Sequence, residues 1–266
     1  MLHYFLFIIA GIISGMLAGL MGIGGGSILV PTFMISLNIP DVYVNHVAIA
    51  TSTCVILFTS IFSSISHFRH KAVKVKILVF MSIGVIVGSS VTGNFIFTKL
   101  SGEFVHIVFI LFILLIAMQT IFKLNPNPQY DIEHKIPKFL FIGAGFVIAG
   151  ISSVIGVGGG FLTVPLLLYL GIPIHNAIAT SAGLGLPIAL TSTIVYSQKA
   201  IPVANTLGLI YWPALLIICP LTSATAVLGA KIAHKIDTKK LKTIYAYFLL
   251  ALCIVLTLRM IFSKIE

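Results

Sequence analysis

One decapeptide occurs twice in this chain. Gly22-Ile-Gly-Gly-Gly-Ser-Ile-Leu-Val-Pro31 returns as Gly156-Val-Gly-Gly-Gly-Phe-Leu-Thr-Val-Pro165. Each glycine inside a helix costs about 1 kcal/mol relative to alanine. A glycine triplet set into continuously apolar sequence, twice and at matched positions, therefore limits the chain to folds in which a helix breaks there.

The flanking sequence says what those helices are dissolved in. Hydrophobic residues make up 59% of the chain, charged residues 8%, and the mean hydropathy is +1.16. Apolar runs this long exceed what a soluble core absorbs and match the hydrocarbon thickness of a bilayer. The reading is an all-α polytopic membrane protein. The net charge of +10 does not point to nucleic acid. Lys and Arg sit in short segments between apolar runs, where they orient helices in a membrane. The first of them is Arg69, so the N-terminus has no positive region of the kind that opens a signal peptide, and the first apolar run is expected to stay in the mature protein. Cys54, Cys219 and Cys253 lie in apolar stretches without CxxC spacing and read as small buried hydrophobes.

The duplication extends past the glycines. Asn38-Ile-Pro40 matches Gly171-Ile-Pro173, His46-Val-Ala-Ile-Ala-Thr-Ser52 matches His175-Asn-Ala-Ile-Ala-Thr-Ser181, and Lys71-Ala-Val73 matches Lys199-Ala-Ile201. Two repeats follow, residues 1–124 and 139–266, joined by a cytoplasmic linker at 125–138 that carries Pro126, Pro128 and Pro137. Each repeat opens with an apolar segment ending at the glycines (4–21, 139–155) and a short one after them (27–37, 161–170). The short segments reach about 15 Å at helical rise, roughly half the hydrocarbon core. A broken hairpin that enters and returns is the economical reading. Three longer helices complete each repeat, at 43–68, 76–98 and 103–122, then at 175–197, 204–230 and 241–262.

Charge placement favours opposite orientation of the repeats. If each glycine hairpin returns to its starting side, the loops at 69–76, 123–138 and 231–242 share one face and hold 12 of the 16 Lys and Arg. Lys99, Lys199, Arg259 and Lys264 then face the other side, and both termini lie outside. Inverted repeats with broken helices are an architecture of secondary transporters.

A break at three glycines leaves N–H groups of the following half-helix without intrahelical partners. The positive end of the helix dipole and a bare glycine backbone suit an anion. Gly24, Gly25, Gly26 and Ser27, with Gly158, Gly159 and Gly160, are thus candidates for substrate binding. Gly22, Pro31, Gly156 and Pro165 would shape the break. The competing reading is that the glycines serve tight helix crossing, to which we assign the separate stripe Gly11, Gly15 and Gly19 and its match Gly145, Ala149 and Ser153. Hydroxyls of Thr51, Ser52 and Thr53, and of Thr180 and Ser181, either line the same site or bond back to their own helices. A nucleotide loop is excluded, since neither GxGxxG nor GxxxxGK[ST] occurs.

The acidic residues Asp41, Glu103, Asp131, Glu133, Asp237 and Glu266 all fall in loops or at segment ends. No carboxylate is placed to bind a cation midway through the membrane, which disfavours cation transport. His46 and His175, equivalent by repeat, are candidates for proton coupling, with a plain interfacial role as the alternative. His106 reads as a helix-end or packing residue, and His67, His70 and His234 as loop ends. Asn94, Gln119 and Asn176 read as glue between helices.

The doubled GxGGG...VP with the doubled A-x-A-T-S resembles the TauE/SafE family of membrane transporters, and the resemblance spans nearly the whole chain. It implies transport, as export, of a small sulfur-containing anion such as sulfite or an organosulfonate across the plasma membrane of a prokaryote. The positions it carries over are Gly22, Gly24 to Gly26, Pro31, Gly156, Gly158 to Gly160, Pro165 and the two Thr-Ser pairs. One departure is that Ser27 faces Phe161 in the alignment of the repeats, so the half-sites are unequal. The expected partners are that anion and membrane lipid, with a second copy of the chain left open, no nucleic acid and no cofactor or metal. The chain is not expected to be an enzyme. An anion channel remains an alternative, as does an intramembrane serine enzyme built on Ser27 and His46.

Overall fold

The structure is a computed structural model that describes residues 2–97 except Asn38, residues 137–237, and scattered positions beyond. The expected helices at 103–122 and most of 241–262, the linker up to 136, and His106, Gln119 and Cys253 lie outside the described residues.

Eight helices are described: α1 (Leu2–Met21), α2 (Gly26–Ser36), α3 (Asp41–Arg69), α4 (Val75–Val91), α5 (Lys138–Ile155), α6 (Gly160–Tyr169), α7 (Ile174–Ser197) and α8 (Trp212–Lys235). A single π-helical turn, Thr92–Ile96, extends α4. Six of them are long and apolar enough to cross a membrane, and α2 and α6 are the two short ones. The chain is an all-α polytopic membrane protein.

The glycine motifs set the helix boundaries as expected. Gly22, Gly24 and Gly25 take positive φ, between 68° and 80°, and Gly156 takes 71°. A helix cannot continue through such residues, and only glycine adopts the conformation without strain. α2 and α6 each restart on the last glycine of the triplet. Pro31 and Pro165 lie inside these short helices.

α3 and α7 form the centre. In the most apolar 18-residue stretch of each, 67% of the residues are buried, against 28–44% in the other long helices. Around them, α1 packs on α8 and α4 on α5, both through glycine. A Cβ on Gly15 would strike Thr222 and Thr225, one on Gly19 the Ala226 carbonyl, one on Gly84 the Ile142 carbonyl and one on Gly88 the Phe146 carbonyl. Such backbone-to-backbone approach is how helices gain dispersion contact where lipid supplies no hydrophobic drive. The small-residue stripe on α1 is a packing device, as is Gly145, which sits on Met81.

Those contacts also give the sense of each helix. Gly11 meets Leu221, Gly15 Thr225 and Gly19 Ala230, so α1 and α8 run in parallel. Gly84 meets Ile142 and Gly88 meets Phe146, and Lys138 lies over the Phe80 ring, so α4 and α5 are parallel too. Phe33 packs on Phe7 at a ring separation of 5.7 Å, so α2 runs back beside α1. The start of α7 is bonded to the turn before α4, Asn176 Nδ2 donating to Ala72 O at 2.7 Å, so α6 returns toward the end from which α5 came. Arg69, Lys71, Lys74, Lys76, Lys138, Lys231 and Lys235 consequently gather at one end and Lys199 stands at the other.

One element differs from expectation. Residues 204–211 are not helical: Thr206–Leu207 (β1) pairs antiparallel with Ile210–Tyr211 (β2), in the register Thr206 to Tyr211 and Leu207 to Ile210. Asn205 and Gly208 both adopt positive φ near 61°, which suits a tight hairpin and no helix. The helix starts only at Trp212, with Pro213 in its first turn, and runs to Lys235 instead of ending at 230.

Candidate functional site

The two glycine loops meet at the middle of the bundle, backbone against backbone. A Cβ on Gly24 would lie 3.0 Å from Gly158 Cα, and one on Gly158 would lie 2.6 Å from Ile23 O. A Cβ on Gly26 would strike the Gly156 carbonyl, and one on Gly160 the Gly22 carbonyl. Only glycine permits this crossing, so the structure supports the packing reading of the triplets directly. It also brings the N-termini of α2 and α6 to one place. Gly25 O already accepts from Ile28 and Leu29, and Gly159 O from Leu162 and Thr163. Helix geometry leaves the N–H groups of Gly26, Ser27 and Gly160 without an intrahelical carbonyl at the two N-termini.

The hydroxyl pairs hold these loops from across the chain. Ser52 Oγ donates to Gly156 O at 3.0 Å, and Ser181 Oγ donates to Gly22 O at the same distance. Thr51 Oγ1 accepts from Tyr211 N and Thr180 Oγ1 from Lys74 N, both at 2.9 Å. All four residues are fully buried. Each half of the chain thus ties down the glycine break and the loop of the other. Thr53 instead bonds back to Ile49 O within its own helix. Asn176 spans two elements as anticipated, whereas Asn94 bonds only within its helix, to Ser90 O.

Two hydroxyls stand in the opening turns of the half-helices. Ser27 is buried at the start of α2. Thr163, fully buried one turn into α6, has no hydrogen-bond partner for its Oγ1 among the described residues. A Cβ on Gly159 would lie 3.6 Å from that oxygen, so it faces the helix N-terminus. Thr163 was not singled out from sequence, because the repeat places it opposite Leu29 rather than opposite Ser27. The signal was there in another form: each half-helix carries one hydroxyl within its first four residues, at different registers.

The histidines separate. His46 lies near the start of α3, edge-on to Phe97 at 5.1 Å, and Phe97 stacks on Tyr196 at 4.5 Å. His175 lies at the opposite end, with its ring 6.0 Å from that of His234. The repeat-equivalent pair is therefore not brought together. His67, expected at a loop end, is instead fully buried inside α3, because the last turns of that helix are covered by α1 and α8. Its ring contacts His234, which stacks on His70. No group of three His, Cys, Asp or Glu among the described residues has the geometry of a metal site.

Comparison with known proteins identifies the family. The family described as "Sulfite exporter TauE/SafE" matches residues 7–256. A probable membrane transporter protein of Haemophilus influenzae is 30% identical over 254 residues, 93% of this chain and 95% of its own length. One from Methanocaldococcus jannaschii is 31% identical over 247 residues, 89% of each chain, and one from Bacillus subtilis is 25% identical over 282 residues, 98% of this chain and all of its own. No solved structure matches. The family and these relatives are named as membrane transporters, not enzymes. On a match that runs through both glycine breaks and almost to the end of the chain, this protein is a membrane transporter of the TauE/SafE family.

Proposed function

We propose that the chain is a secondary transporter that exports a small sulfur-containing oxyanion, such as sulfite or an organosulfonate, through two oppositely oriented repeats in a prokaryotic plasma membrane. The observation that carries this reading is the meeting of two half-helix N-termini at the crossing of the glycine loops. Two positive dipole ends directed at one point, from helices that run away from each other, form a shell for an anion without any fixed cation. Neutral donors hold an oxyanion and also release it. In this reading the N–H groups at Gly24, Gly25 and Gly26 and at Gly158, Gly159 and Gly160 face the anion, with the hydroxyls of Ser27 and Thr163 beside them. The side chains of Thr51, Ser52, Thr180 and Ser181 hold the loops in place. Direction supports inversion: α1 ends at the basic end, where Gly19 O meets His67, whereas its counterpart α5 starts there, with Lys138 over the Phe80 ring. The clustering of Arg69, Lys71, Lys74, Lys231 and Lys235 at one end supports a cytoplasmic position for that end.

The test is flux of sulfite, sulfate, thiosulfate and sulfoacetate into proteoliposomes, beside Ser27→Ala and Thr163→Val variants. A hydrogen bond to a charged group contributes about 1.5–3 kcal/mol, so each variant should weaken half-saturation roughly tenfold or more. Saturable flux with that loss supports the reading. Flux that follows voltage without saturating means a channel, and no flux of any of the four anions removes the substrate class.

A further inference from the structure

The two repeats close one internal hydrogen bond with different side chains. In the second, Tyr196 Oη donates to Ser153 O at 2.6 Å. In the first, the residue at the position of Tyr196 is His67, the carbonyl at the position of Ser153 is Gly19, and His67 Nε2 lies 3.1 Å from Gly19 O. A carbonyl oxygen only accepts, so Nε2 of His67 carries the hydrogen. Its Nδ1 lies 2.9 Å from His234 Nε2. With both rings neutral, His67 Nδ1 must then accept and His234 Nε2 must donate. A single added proton keeps this bond: it sits on His234 Nδ1, or on His67 Nδ1 with His234 Nε2 now accepting. A second proton places N–H against N–H across 2.9 Å, and the bond is lost.

The geometry points to His67 and His234 as a proton-binding site that joins proton uptake at the basic end of the bundle to movement of the first glycine break. This deepens the transporter reading and rests on it. An unperturbed imidazole takes up a proton far nearer neutrality than a phenol gives one up, so of the two matched ties the one in the first repeat is the one built from proton-accepting side chains. The route to the anion site is short. Gly19 lies in the last turn of α1, Gly22 N donates to Ala18 O at 2.9 Å in the same turn, and Gly22 O is the acceptor of Ser181. A change at His67 therefore acts on the helix end that forms half of the proposed site. On the other side, His234 belongs to α8, so the bond also spans the two repeats.

The surroundings favour one proton over two. From α3 and the turn after it come His70, Arg69, Lys71 and Lys74. From α7 comes His175, and from α8 Lys231 and Lys235, with Asp237 just past it. α1 supplies only the Gly19 carbonyl, and α4 carries Lys76 in its first turn. His70 holds its Nδ1 to Ser66 O at 2.8 Å and lays its ring on His234 at 4.2 Å. Like charges this close oppose a second protonation of the pair.

The test uses the full chain in proteoliposomes with thiosulfate, an anion whose charge does not change across the pH range applied. Wild type should show severalfold faster flux under an inward proton gradient, and His234→Gln and His67→Gln should lose that acceleration while His46→Gln keeps it. Gradient response surviving in both pair variants, or vanishing in His46→Gln instead, overturns the proposal. Imidazole C2 hydrogen exchange on the solubilised protein decides the site without any transport. His67 and His234 should titrate as a coupled pair, and His234→Gln should convert His67 to a single step. A His67 titration indifferent to His234→Gln sinks the proton site even where flux is normal. Absence of flux in wild type with a coupled titration intact sinks the transport reading instead.

Discussion

Gly25 and Gly159 occupy the same place in the duplicated motif, yet the structure predicts different penalties for alanine. At Gly25, φ is 79° and a Cβ would lie 2.7 Å from Ser14 O and 3.0 Å from Ser14 C. The left-handed backbone costs a non-glycine residue about 1–2 kcal/mol, and pressing on backbone that cannot yield adds about 1–3 kcal/mol. At Gly159, φ is −54°, ordinary for any residue. The closest atom is Ile188 Cδ1, the free tip of a flexible side chain, and the next is Ile148 Cγ2 at 3.3 Å. Moving one methyl costs well under the backbone clash, and alanine recovers about 0.4–1 kcal/mol by restricting the unfolded chain. Gly25→Ala should therefore fall about 2–4 kcal/mol below Gly159→Ala. At a few degrees per kcal/mol for a chain of this size, that is a melting gap of roughly 5 °C or more. A thiol-reactive dye reads it, because Cys54 is buried and Cys219 partly so and both react as the bundle opens. Equal losses at the two positions would falsify the argument that backbone conformation, rather than motif membership, sets the penalty.

Three further outcomes follow from the same geometry. Gly84→Ala should destabilise by about 1–3 kcal/mol, since its Cβ strikes the Ile142 carbonyl, whereas Gly143→Ala meets nothing within 4 Å and should be neutral or stabilising by up to about 1 kcal/mol, both by the dye assay. Ser52→Ala and Ser181→Ala each remove one bond to the opposite glycine loop and should each lose about 0.5–1.5 kcal/mol; a several-fold difference between them would contradict the equivalence of the two ties. In intact cells, a membrane-impermeant maleimide should label Lys199→Cys and spare Lys231→Cys; labelling of both, or of Lys231→Cys alone, removes the proposed sidedness.

Much of this architecture can be read from residues alone, for a local reason. A glycine triplet in an apolar run breaks a helix wherever it occurs, so the ends of α1, α2, α5 and α6 are visible within a few residues of the motif. What escaped depends on partners distant in sequence. His67, flanked by Arg69 and His70, looks like the start of a loop, and only the cover supplied by α1 and α8 makes it interior. The hairpin at 206–211 hid within apolar sequence, although Asn205 and Gly208 carried the turn chemistry. The bonds of Ser52 and Ser181 to carbonyls on the other half of the chain leave no trace in spacing, from which the two hydroxyls read either as lining of a site or as bonded back to their own helices. Thr163 was masked by the repeat itself, which directs attention to equivalent positions and away from a hydroxyl whose counterpart is Leu29.

The partnership of α1 with α8 and of α4 with α5 also bears on how the protein is made. The groove on α1 formed by Gly11, Gly15 and Gly19 is filled by a helix that leaves the ribosome some two hundred residues later. Until then the N-terminal helix resides in lipid with its contact surface unoccupied, and the glycine break behind it lacks Ser181. Among the described residues, each half gains its closest helix contacts only when the other has been made, so the order of synthesis sets the order in which those surfaces close.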